Sequence, residues 1–296
     1  MDRSERDYKP NIYQRVIDIL SGRKPDRLPF IDRLELWYSS HCRAGTLPEE
    51  FCLPADGSDA LSTQTRFHDG EKQQAKSLTE VHRSVGIGQE LMVPCFSRKL
   101  HGVELIITFN DEPYFRENDP VLEDFPRLDD IIPTERPGVA RAEFITPLGK
   151  LTTQNRLLPN MVAAGAIPYM EEHILREEHD YRKLEFILIH SEFIPRFESI
   201  KEKQNEMGEI GFVVPMLNRS PFQQLLLNLI GEIPLFYMLR DSPGHIEKIM
   251  ALLDERFRED IRNLAGLGLA VCRVRRQPRR RDDQPPSFRK IQPALL

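Results

Sequence analysis

The chain has 296 residues and 40 % hydrophobic content, enough to bury a substantial core in one large domain or two small ones. Its net charge of −5, with 29 % charged residues, is ordinary for a soluble protein. No stretch approaches the ~18 consecutive apolar residues of a membrane helix, and the charged N-terminus lacks the apolar run of a secretory signal, so a cytoplasmic enzyme is expected.

From Asn11 to Ser21 the apolar positions Ile12, Val16, Ile19 and Leu20 keep helical spacing, and Gly22 suits a helix stop. After the turn at Lys24-Pro25-Asp26-Arg27, residues Leu28 to Ile31 read as a short buried strand. Residues 40 to 75 are polar and loop-like, and Ser77 to Val85 suits a short helix. Val103 to Phe109 is a strand. Ala140 to Thr146 and Leu151 to Leu157 flank Pro147-Leu148-Gly149-Lys150, which predicts a hairpin. Helical pattern returns at Glu177 to His190 and at Ile194 to Met207, followed by an apolar strand from Glu209 to Leu217. Ser220-Pro221 opens a helix running to Gly231, and Ser242-Pro243 opens the longest, to Gly266, with Ile246, Ile249, Leu252, Leu253, Phe257 and Ile261 on one stripe. Leu267 to Val271 begins another strand. Strands alternating with helices predict a parallel α/β architecture.

Three segments carry a family resemblance. They are the opening helix with Gly22-Arg23-Lys24-Pro25-Asp26-Arg27-Leu28-Pro29, the hairpin Thr146-Pro147-Leu148-Gly149-Lys150-Leu151, and Gly211 to Gly231 followed by Asp241-Ser242-Pro243. In that order and spacing the chain, over residues 11 to 271, resembles the uroporphyrinogen decarboxylase-like superfamily, which includes the tetrapyrrole decarboxylase and corrinoid- or thiol-directed methyltransferases. The resemblance implies a (β/α)8 TIM barrel, here with an inserted β-hairpin and a truncated C-terminus, and an active site at the carboxyl ends of the strands.

The decarboxylase carries Arg-Gln-Ala-Gly-Arg-Tyr after its first strand, with arginines that hold substrate carboxylates. Here the segment is Arg33-Leu34-Glu35-Leu36-Trp37-Tyr38, with Trp37 in the place of the second arginine, and Leu227 replaces a functional tyrosine further on. Trp cannot supply bidentate guanidinium geometry. The resemblance therefore implies a methyltransferase-like enzyme acting on a small methylated substrate with a corrinoid or thiol acceptor, and a corrinoid protein as partner. Porphyrin-forming decarboxylation is the alternative, and a non-catalytic binding protein with a basic arm is the second. Zinc belongs to full-length relatives, whose His and Cys ligands fall in the last third of the barrel, so no cofactor or metal ligand is expected within these residues.

The substrate-binding candidates are Arg33, Glu35, Trp37 and Tyr38 after the first strand, and Asn218 and Arg219 at the end of a later one. No catalytic residue stands out. His41-Cys42 reads as a loop histidine beside a free thiol, and the four cysteines are too few and scattered for a disulfide framework. His173, His179, His190 and the pairs Glu171-Glu172 and Glu177-Glu178 read as solvated surface.

From Arg273 to Leu296 seven Arg and one Lys stand against two Asp, a charge of +6 that leaves −11 on the rest. One permitted set of codons for this stretch, read one base on, spells Glu-Phe-Gly-Asp-Asn-Leu-Asp-Gly-Ala-Met, which resembles the strand continuation of family members. Residues 1–272 are thus expected to form an incomplete barrel, inactive as it stands. Residues 273–296 are expected to be a frameshifted basic tail outside the fold, with neither nucleic acid nor membrane as partner.

Overall fold

The structure, a computed structural model, describes residues 11–52, 75–123, 125–128 and 131–265, and the backbone of 273–274. Helix α1 (Ile12–Leu20) starts at Asn11, whose side chain accepts a hydrogen bond from the Gln14 amide at 2.7 Å. Strand β1 (Ile31–Asp32) leads into α2 (Glu35–Ala44), and α3 (Leu78–Val85) follows. The start of α3 is a capping box in which the Ser77 and Glu80 side chains each accept from the other's amide, satisfying two orphan N–H groups. From it the chain enters β2 (Gly88–Pro94) and, after Cys95, β3 (Phe96–Leu100).

An antiparallel section comes next: β4 (Glu104–Phe109), β5 (Glu112–Asn118), β6 (Val121–Leu122), β7 (Gly138–Thr146), β8 (Gly149–Leu157), α4 (Pro159–Ala164), β9 (Tyr169–Glu172), α5 (Asp180–Ile189) and β10 (Ser191–Pro195). Helix α6 (Phe197–Met207) returns the chain to β11 (Gly211–Leu217). Then come α7 (Pro221–Gln224), a π-helical turn (Leu225–Leu229), α8 (Glu232–Asp241), α9 (Pro243–Ala265) and β12 (Arg273–Val274).

Three sheets result. The parallel one has the order β1-β2-β11-β12, and two antiparallel ones run β5-β4-β7-β8-β9 and β10-β3-β6. Strand alternation decides which side chains are inside. In β4 the buried residues Leu105, Ile107 and Phe109 alternate with half-buried ones, and join Ala140, Ala142, Phe144 and Leu151 against Leu184 and Ile187 of α5. On the parallel sheet Val93, Val213 and Leu217 pack under Ile200 and Met207 of α6 and Phe257 and Leu264 of α9. The neighbours that point the other way, Met92, Phe212 and Met216, are only half-buried. Helix α9 belongs to both cores: Ile246, Ile249 and Leu253 enter the first, Phe257 and Leu264 the second.

The expected (β/α)8 barrel, truncated at its C-terminus, is overturned. Closure needs tilted strands whose first and last members pair. Among the described residues the parallel sheet is open, with β1 and β12 at opposite edges, and the other strands lie in separate antiparallel sheets. The hairpin forms, with Thr146 opposite Gly149, but it is one corner of an antiparallel section spanning β3 to β10. Leu28 and Phe30, expected in a buried strand, are 79 % and 64 % exposed, and pairing begins only at Ile31. The loop expected from residue 40 holds the second half of α2, while 53–74 lie outside the described residues. Ile194 is in β10, not helix, because it pairs with Ser97 of β3. Helix α8 was not expected, since Ile233, Phe236 and Tyr237 remain exposed and give no one-sided core stripe. Among the described residues no single helix is long and apolar enough to cross a membrane.

The junction of β2 and β11 depends on glycine. A Cβ on Gly211 would stand 2.0 Å from the Gln89 carbonyl oxygen, a backbone atom that cannot swing away. Gly211→Ala is expected to lower stability by about 1–3 kcal/mol, read from urea unfolding midpoints; an unchanged midpoint would refute this account of the β2–β11 contact.

Candidate functional site

The segment after β1 turns out to be a packing element. Arg33 pairs with Glu35 two residues on, at the exposed start of α2. Tyr38 is buried with Leu47, Phe51 and Val81, and its hydroxyl donates to the Lys76 carbonyl at 2.6 Å. Trp37 lies edge-on to Phe51, ring centres 6.0 Å apart, and 4.8 Å from His41. A polar-ended aromatic finds its partner when buried, and here the partner fastens α2 to the chain entering α3. Beneath them His82 is buried, its Nδ1 3.2 Å from the Ile87 carbonyl. Burial holds its pKa below the usual value, opposed by Glu35 and Asp32.

Register separates this cluster from Asn218 and Arg219. Asp32 is level with Gln89, and Gln89 with Gly211 at the start of β11. Asn218 follows the far end of that strand, about 20 Å away at roughly 3.3 Å per residue. The two groups of candidates are therefore not brought together.

What does converge at the carboxyl ends of β2 and β11 is a pair of hollows. An open cleft of about 530 Å³ is lined by Val93 and Pro94 of β2, Glu123, and Arg196, Ser199 and Lys203 around the start of α6. Arg196 is held by Glu123. Glu123 also borders a smaller cavity of about 30 Å³, walled by Arg98, Asn218, Gln224, Arg256, Phe257 and Asp260. Asn218 thus takes part. The Arg219 carbonyl accepts from Gln224 Nε2 at 2.7 Å, which fixes the turn between β11 and α7. Cys95 Sγ donates to the Met216 carbonyl at 3.1 Å, tying the two strand ends.

The cavity wall is charged. Arg98 and Asp260, 5 % and 3 % exposed, form a buried ion pair from β3 to α9, and Arg98 Nη1 lies 3.5 Å from the half-exposed Glu259. The Arg98 guanidinium also lies over Phe96 and Phe193, at 5.6 and 5.8 Å from their ring centres. Arg256 donates to the Leu188 carbonyl at 2.9 Å. Burial pushes the Asp260 carboxyl up to about 6 against the pull of Arg98 and Arg256, and burial together with Arg98 brings Arg256 down to about 9. Asp260 therefore exchanges its proton close to neutral pH.

Sequence reasoning passed over Arg98, Arg256 and Asp260. Arg98 sits in a five-residue strand of mixed character, Phe-Ser-Arg-Lys-Leu, and the other two lie among many charges on α9. One signal was available: Asp260 falls three residues after Phe257 and four before Leu264, on the stripe that packs inward. His173, expected on the surface, is half-buried against Gly231, and burial lowers its pKa.

Among the described residues no group of three or more His, Cys, Asp or Glu is placed to hold a metal ion, so they do not fit zinc. The Arg-rich segment lies outside the described residues apart from the backbone of Arg273 and Val274, which pairs with Met216 and Leu217. No protein-family model, curated protein or solved structure matches the chain.

The raised pKa of Asp260 sets a pH signature. A carboxyl whose folded value, about 6, exceeds its ordinary 3.8 contributes stability below pH 4 and loses it as pH rises through 6. The wild-type minus Asp260→Asn difference in unfolding free energy is expected to decline across that window, and a flat difference would contradict the assignment. Arg98→Met, which strands a buried carboxylate, is expected to cost about 3–5 kcal/mol at pH 7.

Proposed function

We propose that the chain binds a small molecule at the carboxyl ends of β2 and β11 and serves a methyl transfer between that molecule and a corrinoid or thiol partner. The observation that carries the reading is the location of the 530 Å³ cleft. Its volume falls within the roughly 300–1,000 Å³ of small-molecule sites, and open parallel sheets bind ligands beyond the carboxyl ends of their strands. The reaction class rests on the sequence resemblance, through Gly22 to Pro29, Thr146 to Leu151 and Gly211 to Gly231. Decarboxylation of a tetrapyrrole is the weaker reading: Arg33 is engaged by Glu35, and Trp37 packs on Phe51, so neither stands as a carboxylate clamp.

In this reading the chain's own residues position and shield. Val93 and Pro94 give the cleft an apolar floor, and Arg196, held by Glu123, together with Glu198 and Lys203 gives it a rim of mixed charge.

The test incubates the chain with methylcobalamin and small thiols and follows methyl thioether by mass spectrometry. The expected inactivity rested on the truncated barrel and falls with it: protein-dependent product is expected, and Ser199→Trp, which fills the cleft, is expected to abolish it. Product no faster than without protein, or insensitive to Ser199→Trp, would refute the proposal.

A further inference from the structure

We infer that the small cavity behind the cleft takes one carboxylate group of the substrate, with Arg256 as its cation and the Asn218 amide on its wall. This deepens the proposed function and rests on its claim that the carboxyl ends of the parallel strands are the binding end.

The charges point to an anion. Two guanidinium groups face a cavity in which the single deeply buried carboxylate, Asp260, is already engaged by Arg98. Arg256 has only the Leu188 carbonyl as a hydrogen-bond partner, and among the described residues no carboxylate stands within 4 Å of it. Arg256 draws on Asp260 and Glu259, but Asp260 is shared with Arg98, so two guanidinium groups face one deeply buried carboxylate and a second anion would balance them.

Size and shape choose the anion. A volume of about 30 Å³ exceeds the roughly 10–15 Å³ that one water needs by the same measure, which suits two oxygens on a planar carbon better than a tetrahedral phosphate. The guanidinium fork matches that planar pair. Glu123 lines both hollows, which places the cavity next to the cleft. The Glu123 carboxylate between them is paired with Arg196. The substrate class is a small carboxylic acid, one carboxylate inside and the reacting group in the cleft.

The experiment uses the full chain with sodium acetate, no methyl donor or acceptor being present. Acetamide and sodium chloride of equal ionic strength are the comparisons. Acetate is expected to shift the side-chain amide signals of Asn218 and Gln224 saturably in ¹H–¹⁵N spectra, acetamide and chloride to leave them in place, and Arg256→Gln to weaken the effect about tenfold or more. Absence of an acetate-specific shift at both amides overturns the inference, as does an undiminished response in a folded Arg256→Gln. If that variant does not fold, the wild-type contrast of acetate with acetamide and chloride decides alone. Acetate binding without methyl transfer would sink the reaction assignment only; methyl transfer without acetate binding would sink the carboxylate cavity only.

Discussion

The buried pair of Arg98 and Asp260 is the constraint on which the arrangement depends. Arg98 comes from the first antiparallel strand after β2, and Asp260 from the helix that packs on the parallel sheet. Neither charge tolerates burial alone, since desolvation of an isolated ion far exceeds any packing gain. Wherever the pair forms, β3 must lie against α9. That contact brings the antiparallel section over the carboxyl ends of β2 and β11 and encloses the cavity between them. The aromatic faces of Phe96 and Phe193 complete the guanidinium's surroundings and seat β3 and β10 on the same joint.

Helix α9 makes the joint stiff. Its N-terminal half is anchored in the larger core through Ile246, Ile249 and Leu253, and its C-terminal half in the smaller one through Phe257 and Leu264. The ionic contact falls within the second anchorage, between Phe257 and Leu264, so hydrophobic contacts hold the cavity wall on both sides of Asp260. The geometry in turn explains why a carboxyl with a pKa near 6 and a guanidinium near 9 occur together there: the pocket is dry enough to penalise each charge, and close enough for one to support the other.

Local structure was legible where local chemistry decides it. The short helix after Ser77, the Pro147–Gly149 turn, the Ser242-Pro243 helix start and the strand ending at Phe109 each depend on a few adjacent residues, and each forms as read. Architecture was not legible, because it depends on long-range pairing. Nothing adjacent to Ile194 says that it will pair with Ser97, and nothing near Ile31 says that its strand is only two residues long. The same holds for the site. Asn218 could be placed after a strand from the sequence, whereas Arg98 and Asp260, 162 positions apart, meet only through the fold. Trp37 and Tyr38 have the composition of a ligand site, but they are used to pack α2 on its neighbours.

Native-state hydrogen exchange tests the central claim most directly. If Arg98 and Asp260 bind the two sections into one unit, the amides of Ser97–Leu100, Phe193–Ile194 and Phe257–Leu264 open together, with a single free energy and a common denaturant dependence. Should the β3–β10 amides exchange through a separate opening of lower free energy while α9 stays closed, the sections are independent and the joint does not carry the site.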